Sequence, residues 1–195
     1  AFVGGGWFGA GGGLKVRGMA GVSGRREAYY GSSEGELATD RRTNELTDHE
    51  GDRFHQEMAS LQLTHAASDN VHFSTTAYRN SAAGAFDVDF GDGTIGNYYL
   101  AHVWYGLLST VDIRAGDLSL AFGAHLSDYH REHALAMRPN LTNREYTNVG
   151  FKQEQSAFGK LALDRGAFRF SADLQIRRAA FRYQPSVRAG ITGFE

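Results

Sequence analysis

The feature that most constrains this chain is a period of two. From Tyr99 to Ile113 every second residue (Tyr99, Ala101, Val103, Tyr105, Leu107, Ser109, Val111, Ile113) falls in one largely apolar row, while His102, Trp104, Gly106 and Asp112 fall in the other. Successive side chains of a strand point to opposite faces, so the pattern specifies a half-polar strand and excludes an amphipathic helix. After Arg114-Ala-Gly-Asp117 the alternation resumes with Leu118, Leu120, Phe122, Ala124 and Leu126 opposite Ser119, Gly123, His125 and Ser127, which predicts a tight hairpin. Leu61 and Leu63 lead in the same way through Ala67-Ser-Asp-Asn70 into Val71, Phe73, Thr75 and Ala77. Leu161 and Leu163 lead through Asp164-Arg-Gly166 into Phe168, Phe170, Ala172, Leu174 and Ile176. Phe2 to Phe8 turn at Gly9 to Gly13 into Leu14, Val16, Ala20 and Val22.

Four hairpins result, at about 1–23, 54–79, 98–128 and 150–183, with long connections expected at 24–53, 80–97 and 129–150. Short turns at one end and long loops at the other are the grammar of an outer-membrane barrel, whose periplasmic turns are short and extracellular loops long. The reading is therefore all-β: an antiparallel up-and-down transmembrane β-barrel segment of about eight strands, with residues 1–195 part of a single barrel domain. The apolar row of each strand suits lipid. Glu57, His65, Lys152, Glu154, Lys160, Arg169, Asp173, Gln175 and Arg177 are assigned to the other face, which suits a wet lumen. Alternation alone also fits a soluble half-buried sheet. Aromatics near the strand ends (Tyr29, Tyr30, Tyr78, Phe86, Tyr98, Tyr99, Tyr129, Tyr146, Phe181, Tyr183) favour the membrane reading, as interfacial girdles.

Composition closes other doors. The 25 Gly and 2 Pro beside 13 Phe, 9 Tyr and 2 Trp fit strands and tight turns, and mean hydropathy of -0.40 does not oppose a barrel that never shows a hydrophobic block. With 20 Lys and Arg against 22 Asp and Glu, no basic field points to nucleic acid, and none is expected as a partner. Zero Cys excludes disulfides and thiolate metal sites. No G-x-S-x-G, H-E-x-x-H or phosphate-loop motif is present, so no catalytic residue is assigned, and neither a cofactor nor a resident metal is expected.

Four stretches resemble the middle barrel of TonB-dependent outer-membrane receptors of the siderophore type. They are Asp52-Arg-Phe-His-Gln-Glu57, Asn97-Tyr-Tyr-Leu-Ala-His-Val-Trp-Tyr-Gly106, Asn148-Val-Gly-Phe-Lys-Gln-Glu154 and Ser171-Ala-Asp-Leu-Gln-Ile-Arg-Arg-Ala-Ala-Phe-Arg-Tyr183. The likeness runs from about residue 14 to 184 and rests on strand texture. It implies TonB-dependent transport of a scarce nutrient, most of all a ferric siderophore, across the outer membrane of a Gram-negative bacterium. The implied partners are outer-membrane lipid, a small-molecule ligand and TonB. In that family a plug fills a barrel of about 22 strands. No plug or TonB-contacting segment is recognisable here, so the chain is expected to be a slice of such a barrel. A complete eight-stranded barrel with a structural or adhesive role stands as the alternative.

Candidate sites lie in the expected loops. Arg25, Arg26, Tyr29 and Tyr30 combine guanidinium groups and rings able to hold an anionic, catecholate-like ferric complex. Glu34, Glu36, Asp40, Glu45, Asp48, Glu50 and Asp52, against Arg41 and Arg42, would attract a cation or simply solvate the loop. Asp87-Val-Asp-Phe-Gly-Asp-Gly93 has the alternate oxygens of a calcium loop but fails the EF-hand template, so an Asp/Gly turn is expected. His125, Tyr129, His130, Glu132 and His133 have metal-binding composition without a fixed ligand spacing.

Overall fold

The structure is a computed structural model that describes residues 1–23, 31–43 and 50–186. One antiparallel sheet contains eight strands in sequence order: β1 (Phe2–Gly9), β2 (Gly12–Val22), β3 (Asp52–Ser68), β4 (Val71–Asp89), β5 (Ile95–Ala115), β6 (Leu118–Met137), β7 (Arg144–Arg165) and β8 (Phe168–Pro185). A short helix, α1 (Glu34–Thr39), follows Ser33, whose side chain caps Glu36 N–H while the Glu36 carboxylate accepts from Ser33 N–H.

All four intra-hairpin connections are two residues long and lie at the same end of the sheet. In two of them the first residue is a glycine in the left-handed region, Gly116 at φ 60° and Gly166 at φ 62°, as the turns favoured by twisted hairpins require. At the far end the expectation of three long loops is corrected. Only the connection between β2 and β3 is long, whereas β4 joins β5 through residues 90–94 and β6 joins β7 through 138–143. Residues 80–89 and 129–137 continue the ladder, with Asn80 opposite Trp104, Ala82 opposite His102 and Ala85 opposite Tyr99. The run of small residues on β4 leaves room for the large rings of β5, so the pairing persists where the apolar row has faded.

Register fixes the two faces, because residues directly opposite one another share a side. One face carries a continuous apolar band beside the short turns. The band comprises Leu14 and Val16; Leu61 and Leu63; Val71 and Phe73; Leu107, Val111 and Ile113; Leu118, Leu120, Phe122 and Leu126; Leu161 and Leu163; and Phe168, Phe170, Leu174 and Ile176. On β6 it runs from Leu118 to Leu126 and on β8 from Phe168 to Ile176, which matches the roughly 9–11 residues with which a tilted strand crosses hydrocarbon. The strands are far longer, 17 to 22 residues from β3 to β8. Above the band the same face turns polar, with Arg79 3.8 Å from Glu57 and Gln153 donating to Asp128 at 2.9 Å. Two sequence assignments are corrected here. Glu57 and His65 lie on the face that carries the band, opposite Ser81 and Phe73.

Nothing among the described residues covers the band. Among the described residues the buried apolar side chains are Val88, Ala134 and Ala136, while Leu63, Phe170 and Leu174 are 54, 58 and 78 % exposed. A sandwich would bury this face under a second sheet, and none is present among the described residues. The eight strands are not closed on themselves either, since β1 and β8 end the sheet order and do not touch. The described strands therefore form an open sheet rather than a small complete barrel.

Glycines on the polar face admit rings from the neighbouring strand. A Cβ on Gly106 would lie 2.6 Å from the Tyr78 hydroxyl, and one on Gly123 would collide with the Phe158 ring. Ring over glycine restores the packing that a glycine forfeits in a strand.

Candidate functional site

The polar face beyond the band gathers the hydrogen-bonding groups. Tyr78 on β4 reaches across Gly106 to His125 on β6, with its hydroxyl 2.7 Å from Nε2 and the two rings stacked at 6.0 Å. Trp104 meets Tyr78 edge-on at 5.1 Å. One step further along, His102 lies 5.6 Å from the Tyr129 ring and 3.3 Å from Asn80 Oδ1. These contacts require alternate residues of three adjacent strands to share one side, which the register supplies.

On β7 and β8 the charges organise around Glu154. Lys152 Nζ lies 2.7 Å and Arg177 Nη2 2.6 Å from its carboxylate, which pairs with both cations. Lys152 also stands 5.9 Å from the centre of the Phe181 ring. Beside this cluster, toward the far end, opens a concavity of about 880 Å³ whose lining includes Tyr129, Arg131, His133, Lys152, Phe181 and Tyr183. Arg131 is directly opposite His102 and Gly150 and makes no ion pair among the described residues. A Cβ on Gly150 would find only the Arg131 carbonyl, at 4.0 Å, so there is free space beside that strand. An arginine fork, an ammonium and phenol rings around one opening are equipped to hold an anionic, oxygen-rich solute by charge-assisted and cation–π contacts.

The rim is fixed by a buried carboxylate. Asp87 is 4 % exposed, accepts from Arg138 Nε and Nη2 at 2.9 Å each, and accepts from Asn97 Nδ2 at 2.7 Å. Asp87 is thereby committed, Asp89 accepts from Gly91 N–H, and Asp92 accepts from the Thr94 hydroxyl and N–H, which hold its carboxyl below the usual carboxylate range. Asp87 to Asp89 are the end of β4 rather than part of a turn, and the expected Asp/Gly turn is confined to Phe90 to Gly93.

Other sequence assignments fare differently. Arg25, Arg26, Tyr29 and Tyr30, proposed ligand contacts, lie outside the described residues, as do Glu45 and Asp48 of the acidic loop. The histidine-rich group is strand rather than loop, and its alternation divides it. His125, Tyr129 and His133 point to the polar face, and His130 and Glu132 to the other. Among the described residues no three His, Asp or Glu side chains converge as a metal site. The aromatic girdle is also redrawn: Tyr78, Phe86, Tyr98, Tyr129, Tyr146, Phe181 and Tyr183 all lie on the polar face, and of the described members only Tyr99 lies on the opposite one. Arg131, His133, Lys152 and Tyr183 were not singled out from sequence as one site. Their shared parity within paired strands is the signal that unites them.

No family model and no curated protein matches the sequence. Solved structures do match the fold. The chain is similar to the ferric citrate transporter FecA in its unliganded form (TM-score 0.70, 8 % identity, covering 90 % of this chain and 28 % of that one). It is similar to the open form of the ferric-catecholate import receptor Fiu from E. coli K12 (TM-score 0.66, 9 % identity, 95 % and 37 %). The third is BauA, the ferric preacinetobactin receptor from Acinetobacter baumannii (TM-score 0.63, 10 % identity, 96 % and 34 %). The chain spans about a third of the length of these proteins. At such identities the likeness is one of fold. This chain shares with them a long-stranded antiparallel sheet. The barrel walls it matches are those of ferric-complex transporters and receptors.

Proposed function

We propose that the chain is part of the barrel wall of a TonB-dependent outer-membrane transporter that takes up a ferric siderophore or a related anionic ferric complex. The observation that carries this reading is the uncovered apolar band, nine residues tall on β6 and β8, on strands about twice as long as a membrane crossing needs. In this orientation the band faces lipid, the short turns lie in the periplasm, and the polar face lines a lumen. Unpaired strand edges are not tolerated within hydrocarbon, so β1 and β8 pair with further strands in the assembled barrel. A plug domain and TonB belong to the same reading, and no residue described here is assigned to them.

The lumenal opening around Arg131, Lys152 and Tyr183 is the proposed ligand surface, alongside the sequence-derived contacts Arg25, Arg26, Tyr29 and Tyr30. It binds and orients without covalent chemistry. The test is a titration of the full-length protein in detergent with ferric citrate and with a ferric tris-catecholate, followed by tryptophan fluorescence quenching. Saturable binding that weakens about tenfold in Arg131→Gln is expected, because a charge-assisted contact is lost. Binding of neither complex, or an unchanged affinity in Arg131→Gln, would overturn the assignment of this opening.

A further inference from the structure

The imidazoles of the polar face fall into two settings. His125 is engaged by the Tyr78 hydroxyl at 2.7 Å, and His72, beside the short turns, has Nε2 3.2 Å from the Asp69 carbonyl oxygen. His102 and His133 instead stand next to Arg131, beyond the apolar band. His102 on β5 is directly opposite Arg131, and His133 lies two residues further along β6, on the same face and in the lining of the opening of about 880 Å³. Both are half-buried. Lys152 brings a further cation to the same opening. Around His102 are Ala82 and Asn80 on β4, and Arg131 and Tyr129 on β6. Around His133 are Leu100 on β5, Asn148 on β7 and, one row beyond, Tyr98 and Tyr146. The carboxylates that come nearest along the ladder are Glu154, taken by Lys152 and Arg177, and Glu145, in the β7 irregularity beyond Tyr146.

This grouping couples protons to anions. The 3.3 Å contact to Asn80 Oδ1 places the proton of neutral His102 on Nε2, which leaves Nδ1 to take up a second. Burial and the neighbouring Arg131 guanidinium hold both imidazoles below the ordinary histidine range, so they are neutral at neutral pH and become charged only on acidification. An anion seated against Arg131 reverses that balance, because it offsets the guanidinium and favours the imidazolium form. Proton and anion then assist each other, by the same factor in either direction.

We infer that His102 and His133 make the Arg131 opening a proton-linked anion site, which binds a polyanionic ferric complex more tightly in acid and takes up protons as it does so. This rests on the ligand surface proposed above and adds its regulation. The probe is hexacyanoferrate(III), a ferric trianion whose own charge is constant between about pH 5 and about pH 8, the range in which histidine titrates. It is titrated calorimetrically into the detergent-solubilised full-length protein, and heats in two buffers of different ionisation enthalpy give the protons taken up per anion bound. The wild type should bind about tenfold more tightly at the acid end of the range, with net proton uptake between the two ends. His102→Gln/His133→Gln should gain nothing on acidification and take up no protons, and His133→Gln alone should keep part of both effects. In Arg131→Gln the midpoint of the pH dependence should move up, because the cation that holds both imidazoles down is gone. His72→Gln, on the same face beside the short turns, should match the wild type. A pH-independent affinity, absence of proton uptake, an unaltered pH dependence in the double variant, an unshifted midpoint in Arg131→Gln, or no binding of the probe at the acid end would each overturn the linkage. Where one of these results accompanies ferric citrate or tris-catecholate binding that still weakens in Arg131→Gln at neutral pH, only this inference falls. Loss of that weakening overturns the ligand surface itself.

Discussion

Arginine introduced along the outward row of β6 should cost most in the middle of that row and least at its ends. The row is Leu118, Leu120, Phe122, Ala124 and Leu126, and Phe122 lies at its centre, half exposed, with its ring beside Gly159. Arginine at the bilayer midplane costs about 2–4 kcal/mol and near the interfaces about 0–1 kcal/mol. With ~1.4 kcal/mol for each factor of ten, Phe122→Arg compared with Phe122→Ala should lower the folded-to-unfolded ratio roughly 30- to 1,000-fold, and Leu118→Arg or Leu126→Arg less than about tenfold against their alanine variants. Ala121→Arg provides the lumenal comparison one residue away, because it sits between Asp112 and Lys160 and should change stability by about 0.5 kcal/mol or less. The assay is equilibrium unfolding from phosphatidylcholine vesicles in guanidinium chloride, read by the fluorescence of Trp7 and Trp104. A flat profile along the row, or a cost at Ala121 equal to that at Phe122, would refute the lipid-facing band.

Other tests probe the packing and the site. Gly106→Val should drive the Tyr78 ring from His125 and destabilise by about 1–3 kcal/mol, as overpacking does, whereas Gly5→Val, with open space around it, should cost less; denaturant midpoints decide between them. Asp87→Ala removes the acceptor of three hydrogen bonds and leaves Arg138 unpaired. A loss of about 1–3 kcal/mol is expected in the denaturant midpoint, moderated by the partial exposure of Arg138. Glu154→Gln frees Lys152 and Arg177 from their shared carboxylate and should tighten ferric citrate binding several-fold, in the opposite direction to Arg131→Gln. Isothermal titration would show the two shifts, and shifts of the same sign would remove charge as the basis of recognition.

Period-two alternation and short Asp/Gly-rich breaks were enough to read eight antiparallel strands and four hairpins from sequence, because side-chain direction along a strand is set by backbone geometry alone. Leu118 to Leu126 could be placed on one apolar face for that reason. The sequence was less informative where a face changes chemistry with height. Glu57 shares the row of Leu61 and Leu63 but sits above the band, and residues 80–89 and 129–137 look like loops until their partners on β5 and β7 are known. Pairing also turned most of the supposed girdle aromatics inward and split the histidine-rich segment between two faces. Arg131, Lys152 and Tyr183 on three neighbouring strands became one opening only through the ladder register. Alternation determined the strands and their two faces locally. Which residues stand side by side on a face depends on long-range pairing, and only the tertiary structure decided that.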